Sequence, residues 1–162
     1  MATSSGTPRQ LSTDDVESVE RFIAAPAEKI FDLLADPSRH RDIDGSGTVQ
    51  QTPGGSRRLG LGDRFGMSMR MGFGYSMVSE IVEFDSDRRI AWQSRPPLGL
   101  LGPFIGGRIW RYELEPREGG TLVRESWDIS QERIKALVRP LRAQTRANMA
   151  KTLERIEQLV TD

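Results

Sequence analysis

Apolar residues in the last third of the chain repeat at the spacing of one helix face. At about 100° per residue they form a stripe wide enough to face a core, so the pattern predicts a helix over residues 131–160. Ser130 is a favourable N-cap, Glu132 suits the positive end of the helix dipole, and Pro140 predicts a kink. The stripe consists of Ile134, Leu137, Val138, Leu141, Met149, Leu153, Ile156 and Val160.

Polar residues occupy the middle of this predicted helix, where a solid core would favour leucine. Thr145, Asn148 and Thr152 project from the stretch that also holds Met149. Polar groups flanked by apolar ends are typical of a helix that lines a cavity, so we expect all four residues to contact a ligand. The alternative is a stretch that is partly exposed to solvent.

The first part of the chain predicts one strand, two short helical segments and a loop. Imperfect alternation over residues 15–24, with β-branched residues, favours a strand. Pro26 then opens a short helix, and residues 38–43 predict a second helical turn. Glycine, serine and threonine dominate residues 45–62, which predicts a mobile loop or a weak edge hairpin.

The clearest strand covers residues 64–72. Polar residues alternate there with Phe65, Met67, Met69 and Met71, which predicts one buried face and one wet face. Because methionine is flexible and polarizable, this face suits an irregular apolar ligand, although ordinary core filling explains it equally well.

The next two strands form a hairpin whose register stays open. Phe84 would face Ile90. Pairing Val82 with Trp92 would turn Glu80 inward, whereas a slip of one residue would turn it outward.

The last hairpin, over residues 108–115 and 121–129, has a register that the apolar phases decide. Its inner face should hold two tryptophans, aliphatic residues and one tyrosine–glutamate pair. The predicted cross-strand pairs are Leu114 with Val123, Tyr112 with Glu125, and Trp110 with Trp127.

The order of elements predicts the architecture. A sheet with one apolar face needs a cover, and the only element long enough is the C-terminal helix. We therefore expect an α+β fold in which antiparallel strands curl around that helix and leave a hollow.

Composition narrows the chemistry. The 162 residues carry 23 basic and 23 acidic side chains, so no global field favours nucleic acid as a partner. The chain has no cysteine and one histidine, which excludes thiolate and multi-histidine metal sites, and we expect neither a metal nor a cofactor. His40 lies in a polar stretch and is predicted to be a surface residue.

The composition predicts a disordered tail over residues 1–13, followed by a single domain over 14–162. The tail lacks the apolar run of a signal peptide, and no apolar run approaches a membrane span. Cytoplasmic residence without stable membrane insertion is therefore expected.

Three segments give the chain a family resemblance. VERFIAAPAEKIFDLLADPSRHRDIDGS, FDSDRRIAWQSR and the terminal TLERIEQLV resemble the SRPBCC, or START-like, superfamily, and within it the bacterial polyketide cyclase/dehydrase-type proteins. The resemblance implies a helix-grip fold, in which a curved seven-stranded antiparallel sheet grips a long C-terminal helix, two small helices close one end, and a cavity takes an apolar ligand. Members of the family include binders, transfer proteins and cyclases, so the resemblance does not fix an activity.

Tyr112 and Glu125 are the candidate catalytic pair. An inward carboxylate is costly to bury unless it is hydrogen-bonded or protonated, and desolvation would raise its pKa towards that of a general acid or base. The phenol could satisfy the carboxylate or polarise a ligand carbonyl. The alternative is a structural role, either as a buried hydrogen bond or as a salt bridge to Arg108.

Large flat side chains add candidate ligand contacts. The candidates are Trp92, Trp110 and Trp127, which can stack on the rings of a ligand or anchor the core. Arg108 is a further candidate for ligand contact. Residues 96–107 form an unusually apolar loop that contains Leu101 and Phe104. Such a loop must bury itself, so it predicts a lid over the cavity, a homodimer contact or contact with a membrane surface.

The sequence thus supports one leading interpretation and two alternatives. The leading one is the binding, or transport, of a small hydrophobic molecule such as a lipid, a sterol-like compound or an aromatic polyketide. The second is a polyketide cyclase, aromatase or dehydratase that uses the inward Glu/Tyr pair. The third is a protein-interaction module that acts through the loop at 96–107.

Overall fold

A computed structural model describes residues 13–51, 54–70, 72, 74–96 and 106–162. Within these ranges the chain forms a seven-stranded antiparallel sheet with the strand order β1-β7-β6-β5-β4-β3-β2. The predicted tail, apart from Thr13, and most of the apolar loop lie outside the described residues. The strands are β1 Val16–Ile23, β2 Val49–Gln51, β3 Arg64–Arg70, β4 Gly74–Asp85, β5 Arg89–Arg95, β6 Arg108–Arg117 and β7 Gly120–Asp128.

The helices pack on the concave side of the sheet, as expected for the helix-grip architecture. The short N-terminal helices form where they were predicted, with Pro26 as the N-cap of α1 and the Asp36 carboxylate accepting a hydrogen bond from Ser38 N at 3.0 Å. The helical elements are α1 Ala27–Leu34, a 3₁₀ turn Pro37–Arg39, α2 His40–Ile43, α3 Lys135–Val138, a second 3₁₀ turn Arg139–Leu141 and α4 Arg142–Thr161.

The start of the C-terminal helix was predicted wrongly. It begins at Lys135 rather than at 131, and Ser130 is not its N-cap. Glu132 does not serve the helix dipole, because its buried carboxylate accepts hydrogen bonds from Arg108 Nε at 3.0 Å and from Gly106 N at 3.1 Å. Because Glu132 makes these tertiary bonds, the helix begins only after Ile134.

The upstream half of the predicted apolar stripe is also not buried. Ile134, Leu137 and Leu141 are 39%, 57% and 43% exposed, and only Val138 of this half faces the core. The 3₁₀ turn around Pro140 interrupts the helix as predicted, and its three residues per turn change the phase between α3 and α4.

The structure settles the register of β4 and β5, which the sequence left open. Phe84 faces Ile90 as predicted, but Ile81 rather than Val82 pairs with Trp92, because the register shifts between Ile81 and Glu83. An extra residue in one strand reverses the side-chain phase beyond it. Glu80 therefore does not turn inward, and its side chain is 46% exposed.

The register of β6 and β7 was predicted correctly. Leu114 faces Val123, Tyr112 faces Glu125 and Trp110 faces Trp127. A short turn at residues 118–119 joins the two strands, so little freedom remains for slippage.

Arg142, at the start of α4, ties the helix to the edge strand β1. Its Nε donates to the buried Glu17 carboxylate at 2.5 Å, and its other nitrogens donate to the carbonyl oxygens of Thr13, Asp14 and Val16. We expect Arg142→Met to lower the free energy of unfolding by about 2 kcal/mol, because several backbone acceptors lose their donor together.

Urea unfolding measures this effect, and hydrogen exchange of β1 amides locates it. Arg146→Met is the matched control, since Arg146 contacts the same carboxylate at 3.5 Å from a position that is 66% exposed. The control should cost under about 1 kcal/mol. Equal costs for the two variants would contradict the assigned role of Arg142.

Candidate functional site

Tyr112 and Glu125 meet in the interior of the protein. The Tyr112 hydroxyl donates to Glu125 Oε1 at 2.8 Å, and the two residues are only 3% and 2% exposed. β6 and β7 place both side chains on the concave face at one cross-strand position. The alternative salt bridge from Arg108 to Glu125 is wrong, because Arg108 pairs with Glu132.

Burial controls the protonation of this pair. Desolvation raises the pKa of Glu125 from its ordinary 4.5 to about 8, although the hydrogen bond from Tyr112 opposes the rise. Burial raises the pKa of the Tyr112 hydroxyl well above 10.0, and the nearby Glu125 is the second cause of this rise. At neutral pH Glu125 is therefore mainly a neutral carboxylic acid that can donate a proton.

Several buried polar atoms, one of them in this pair, have no hydrogen-bond partner. Among the described residues they are Glu125 Oε2, Trp127 Nε1 and His40 Nδ1, together with Nε of the more exposed Arg21. Leaving such an atom unsatisfied in the interior costs free energy. A protonated Oε2 and the indole N–H are donors, so they offer hydrogen bonds to an acceptor that enters the interior.

His40 belongs to the interior, which corrects its predicted surface position. It is 4% exposed, and its ring stacks on Trp92 with centroids 4.7 Å apart and an interplanar angle of 18°. The polar sequence around it concealed this placement. The signal that could have revealed it is the spacing of His40 and Ile43, which lie three residues apart and share the buried face of α2.

The tryptophans separate into distinct environments. Trp92 connects three rings, since Phe65 and Tyr112 also lie within 5.9 Å and 5.5 Å of its centroid. Trp127 packs in a second buried cluster with Met149, against which the half-buried Trp110 also packs.

The other predicted contact residues have mixed positions. Phe65 and Met67 are buried on the concave face, and Met69 is half-buried. Thr145 is buried, and Asn148 accepts a hydrogen bond from Gln144. The remaining predicted contacts, which lie outside the described residues, are Met71, Leu101 and Phe104.

Thr152 has a structural role in this conformation. Its hydroxyl accepts from Gly45 N at 2.9 Å and donates to Asn148 O at 3.1 Å. The first bond joins α4 to the segment that follows α2, and the second lies within α4, so the hydroxyl hydrogen is already used.

Among the described residues, clefts of suitable volume for small molecules open at the surface. A cleft of about 560 Å³ lies beside Arg41 and Met69, another of about 510 Å³ lies between β1 and α4, and a charged one of about 420 Å³ includes Arg89 and Arg124. None of these three is lined by Tyr112 or Glu125. The enclosed hollow expected from the sequence stays a prediction.

Two further features bear on the class of site. Over the described ranges, no group of three or more histidine, aspartate or glutamate side chains is arranged to hold a metal ion. No helix in the same ranges has the length and apolar character needed to cross a membrane.

Comparison with known proteins agrees with this geometry. A family model described as "Polyketide cyclase / dehydrase and lipid transport" matches residues 16–161. The chain belongs to this family. An uncharacterized protein of Mycobacterium tuberculosis is 34% identical over 94 residues, which cover 57% of this chain and 38% of the relative. The chain therefore matches well under half of that relative's length.

Solved structures of the same fold extend over nearly the whole chain. A protein from Arthrobacter aurescens superposes with a TM-score of 0.73 at 14% identity, covering 96% of this chain and 92% of the other. Protein CV1439 from Chromobacterium violaceum gives 0.69 at 15% identity, with coverage of 93% and 99%. DynU16, from the dynemicin biosynthetic locus, gives 0.64 at 16% identity, covering 90% of this chain and 47% of its own. At these identities the likeness concerns the fold.

Proposed function

We propose that this member of the polyketide cyclase/dehydrase and lipid transport family binds a small hydrophobic ligand between the sheet and α4. The ligand places a hydrogen-bond acceptor, such as a carbonyl oxygen, at Glu125 and Trp127. The observation that carries this proposal is the pair of buried donors, Glu125 Oε2 and Trp127 Nε1, that have no partner among the described residues.

The surroundings of these donors suit an apolar molecule. Met67 is buried in the core cluster that also holds Trp92 and Leu114, and Met149 is buried in the cluster that holds Trp127. Methionine side chains are unbranched and change rotamer easily, so they can yield space to a ligand. We propose the cleft beside Met69 as the entrance, because Met69 lies on the concave face and also borders this cleft.

Binding is tested with a neutral aromatic probe, methyl naphthyl ketone, by titration of tryptophan fluorescence. We expect Trp127→Phe to weaken binding about tenfold, because the aromatic body remains while the indole donor to the carbonyl is lost. Trp110→Phe is the matched control at the opposite position of the same cross-strand pair, and it should leave the affinity nearly unchanged.

Native mass spectrometry of the purified protein provides an independent readout. A small molecule that stays with the wild-type protein and is lost from Trp127→Phe supports the proposal. If neither the ketone nor any molecule of a lipid and sterol panel binds, the proposal fails.

A second candidate function rests on the raised pKa of Glu125. A carboxylic acid with a pKa of about 8 can exchange a proton with a ligand near neutral pH, which is what a cyclase or dehydratase requires. Glu125→Gln and Tyr112→Phe would then abolish turnover of a polyketide-like ketone while the ketone still binds. Unchanged turnover in both variants would exclude this role.

A further inference from the structure

The only histidine of the chain lies at the opposite end of the buried ring series from Glu125. His40 stacks on Trp92, and the Trp92 ring lies 5.5 Å from that of Tyr112, which bonds Glu125. Two ring contacts therefore separate the imidazole from the Tyr112–Glu125 pair. Both ends of the series carry a buried polar atom that has no partner in the part of the chain that the structure describes.

The hydrogen-bonding role of His40 follows from its one polar contact. Nε2 lies 2.8 Å from Leu34 O, and a carbonyl oxygen can only accept, so Nε2 carries the ring hydrogen. Burial lowers the pKa of His40, which keeps the ring neutral. Nδ1 therefore presents a bare lone pair and needs a donor.

We infer that His40 Nδ1 is a second polar subsite, which accepts a hydrogen bond from a hydroxyl group of a neutral ligand whose acceptor group lies at Glu125. The inference rests on the proposed function and deepens it, because it names the chemistry at both ends of the ligand. The class is a hydroxylated apolar ketone or a similar neutral molecule.

The same atoms disfavour an anionic ligand such as a fatty acid. Three of the four described residues with a partnerless buried atom, Glu125, Trp127 and His40, are mainly uncharged at neutral pH. The fourth, Arg21, is already paired with Glu157 at 2.9 Å. Arg108, the cation named among the expected contacts, is engaged with Glu132 at 3.0 Å. A carboxylate would lose its hydration on entering this interior without gaining a cationic partner.

The test uses three probes with one skeleton. They are methyl naphthyl ketone, its analogue with a hydroxyl on the far ring, and the corresponding hydroxynaphthoate. We expect the hydroxylated ketone to bind about fivefold to tenfold more tightly than the parent ketone, and the carboxylate to bind most weakly.

Two variants of His40 separate the subsite from a structural role. His40→Gln keeps an amide donor in reach of Leu34 O but removes the acceptor at the Nδ1 position, so it should abolish the preference for the hydroxyl and leave the ketone affinity intact. His40→Asn keeps an acceptor near the Nδ1 position and gives up the bond to Leu34, so it should retain the preference. Loss of the preference in both variants would assign His40 a structural role and overturn the inference.

Nitrogen NMR reads the contact directly, because ¹⁵N-histidine labelling reports one residue only. The Nδ1 resonance should move when the hydroxylated ketone binds and stay in place with the parent ketone. A resonance already at the position of a hydrogen-bonded nitrogen in the ligand-free protein would indicate a buried water and overturn the inference.

The outcomes also separate the two proposals. If the parent ketone binds in a Trp127-dependent way but the hydroxyl adds no affinity, the inference fails and the proposed function stands. If no probe binds, the proposed function fails and the inference fails with it.

Discussion

Glu125→Gln should make the protein more stable than the wild type at alkaline pH. Below pH 4.5 the carboxyl is protonated in both the folded and unfolded chains, so the native glutamate carries no penalty. Between 4.5 and about 8 the unfolded chain loses this proton while the folded protein retains it, so the stability of the wild type falls as the pH rises. Glutamine cannot ionise, which removes this loss.

The expected change is large for a single side chain. The difference in unfolding free energy between variant and wild type should grow by about 5 kcal/mol from pH 4 to pH 9 and then level off. Urea unfolding at several pH values measures it, and Tyr112 can still donate to the retained carbonyl oxygen of the glutamine. Glu118→Gln, in the exposed turn between β6 and β7, is the control for the substitution itself. A difference that stays constant with pH would show that Glu125 is ionised in the folded protein.

The inward position of Glu125 could be predicted from the sequence because the β6–β7 hairpin allows few alternative registers. A short turn and matching apolar phases define the β6–β7 register, and that register alone brings Tyr112 opposite Glu125. The family resemblance likewise predicted the sheet and the long C-terminal helix. Features that are set by local periodicity and short connections could therefore be predicted from the sequence.

Features that are set by tertiary contacts could not be predicted in this way. The register shift between Ile81 and Glu83 inserts a residue that no apolar pattern marks. The buried bonds of Glu132 move the start of the C-terminal helix downstream, although local capping signals favour an earlier start. His40 is surrounded by polar neighbours in sequence, yet α2 packs it against Trp92 from another part of the chain. The site therefore depends on one residue whose burial is set by the packing of α2 and is marked in the sequence only by its spacing from Ile43.

Gly45→Ala should strongly destabilise that packing. Gly45 follows α2 and lies directly against α4, where an added Cβ would fall 2.1 Å from Asn148 O and 2.7 Å from Thr152 N. Both are backbone atoms of a helix, so neither can yield as a flexible side chain would. The helix would have to move away, and the bond from Gly45 N to Thr152 Oγ1 would break. We expect a loss of about 3 kcal/mol and a melting temperature lower by about 6 to 12 °C.

Gly66→Ala is the matched control, because its Cβ would meet nothing closer than Met77 O at 3.9 Å. It should melt within a degree or two of the wild type, since ordinary van der Waals contact requires no rearrangement. Gly45→Ala should also shift the ¹⁵N resonances of His40, because α2 carries the imidazole that stacks on Trp92. If Gly45→Ala melts like Gly66→Ala, then α2 does not lie against α4 at this distance, and the position of His40 at the end of the ring series loses its support.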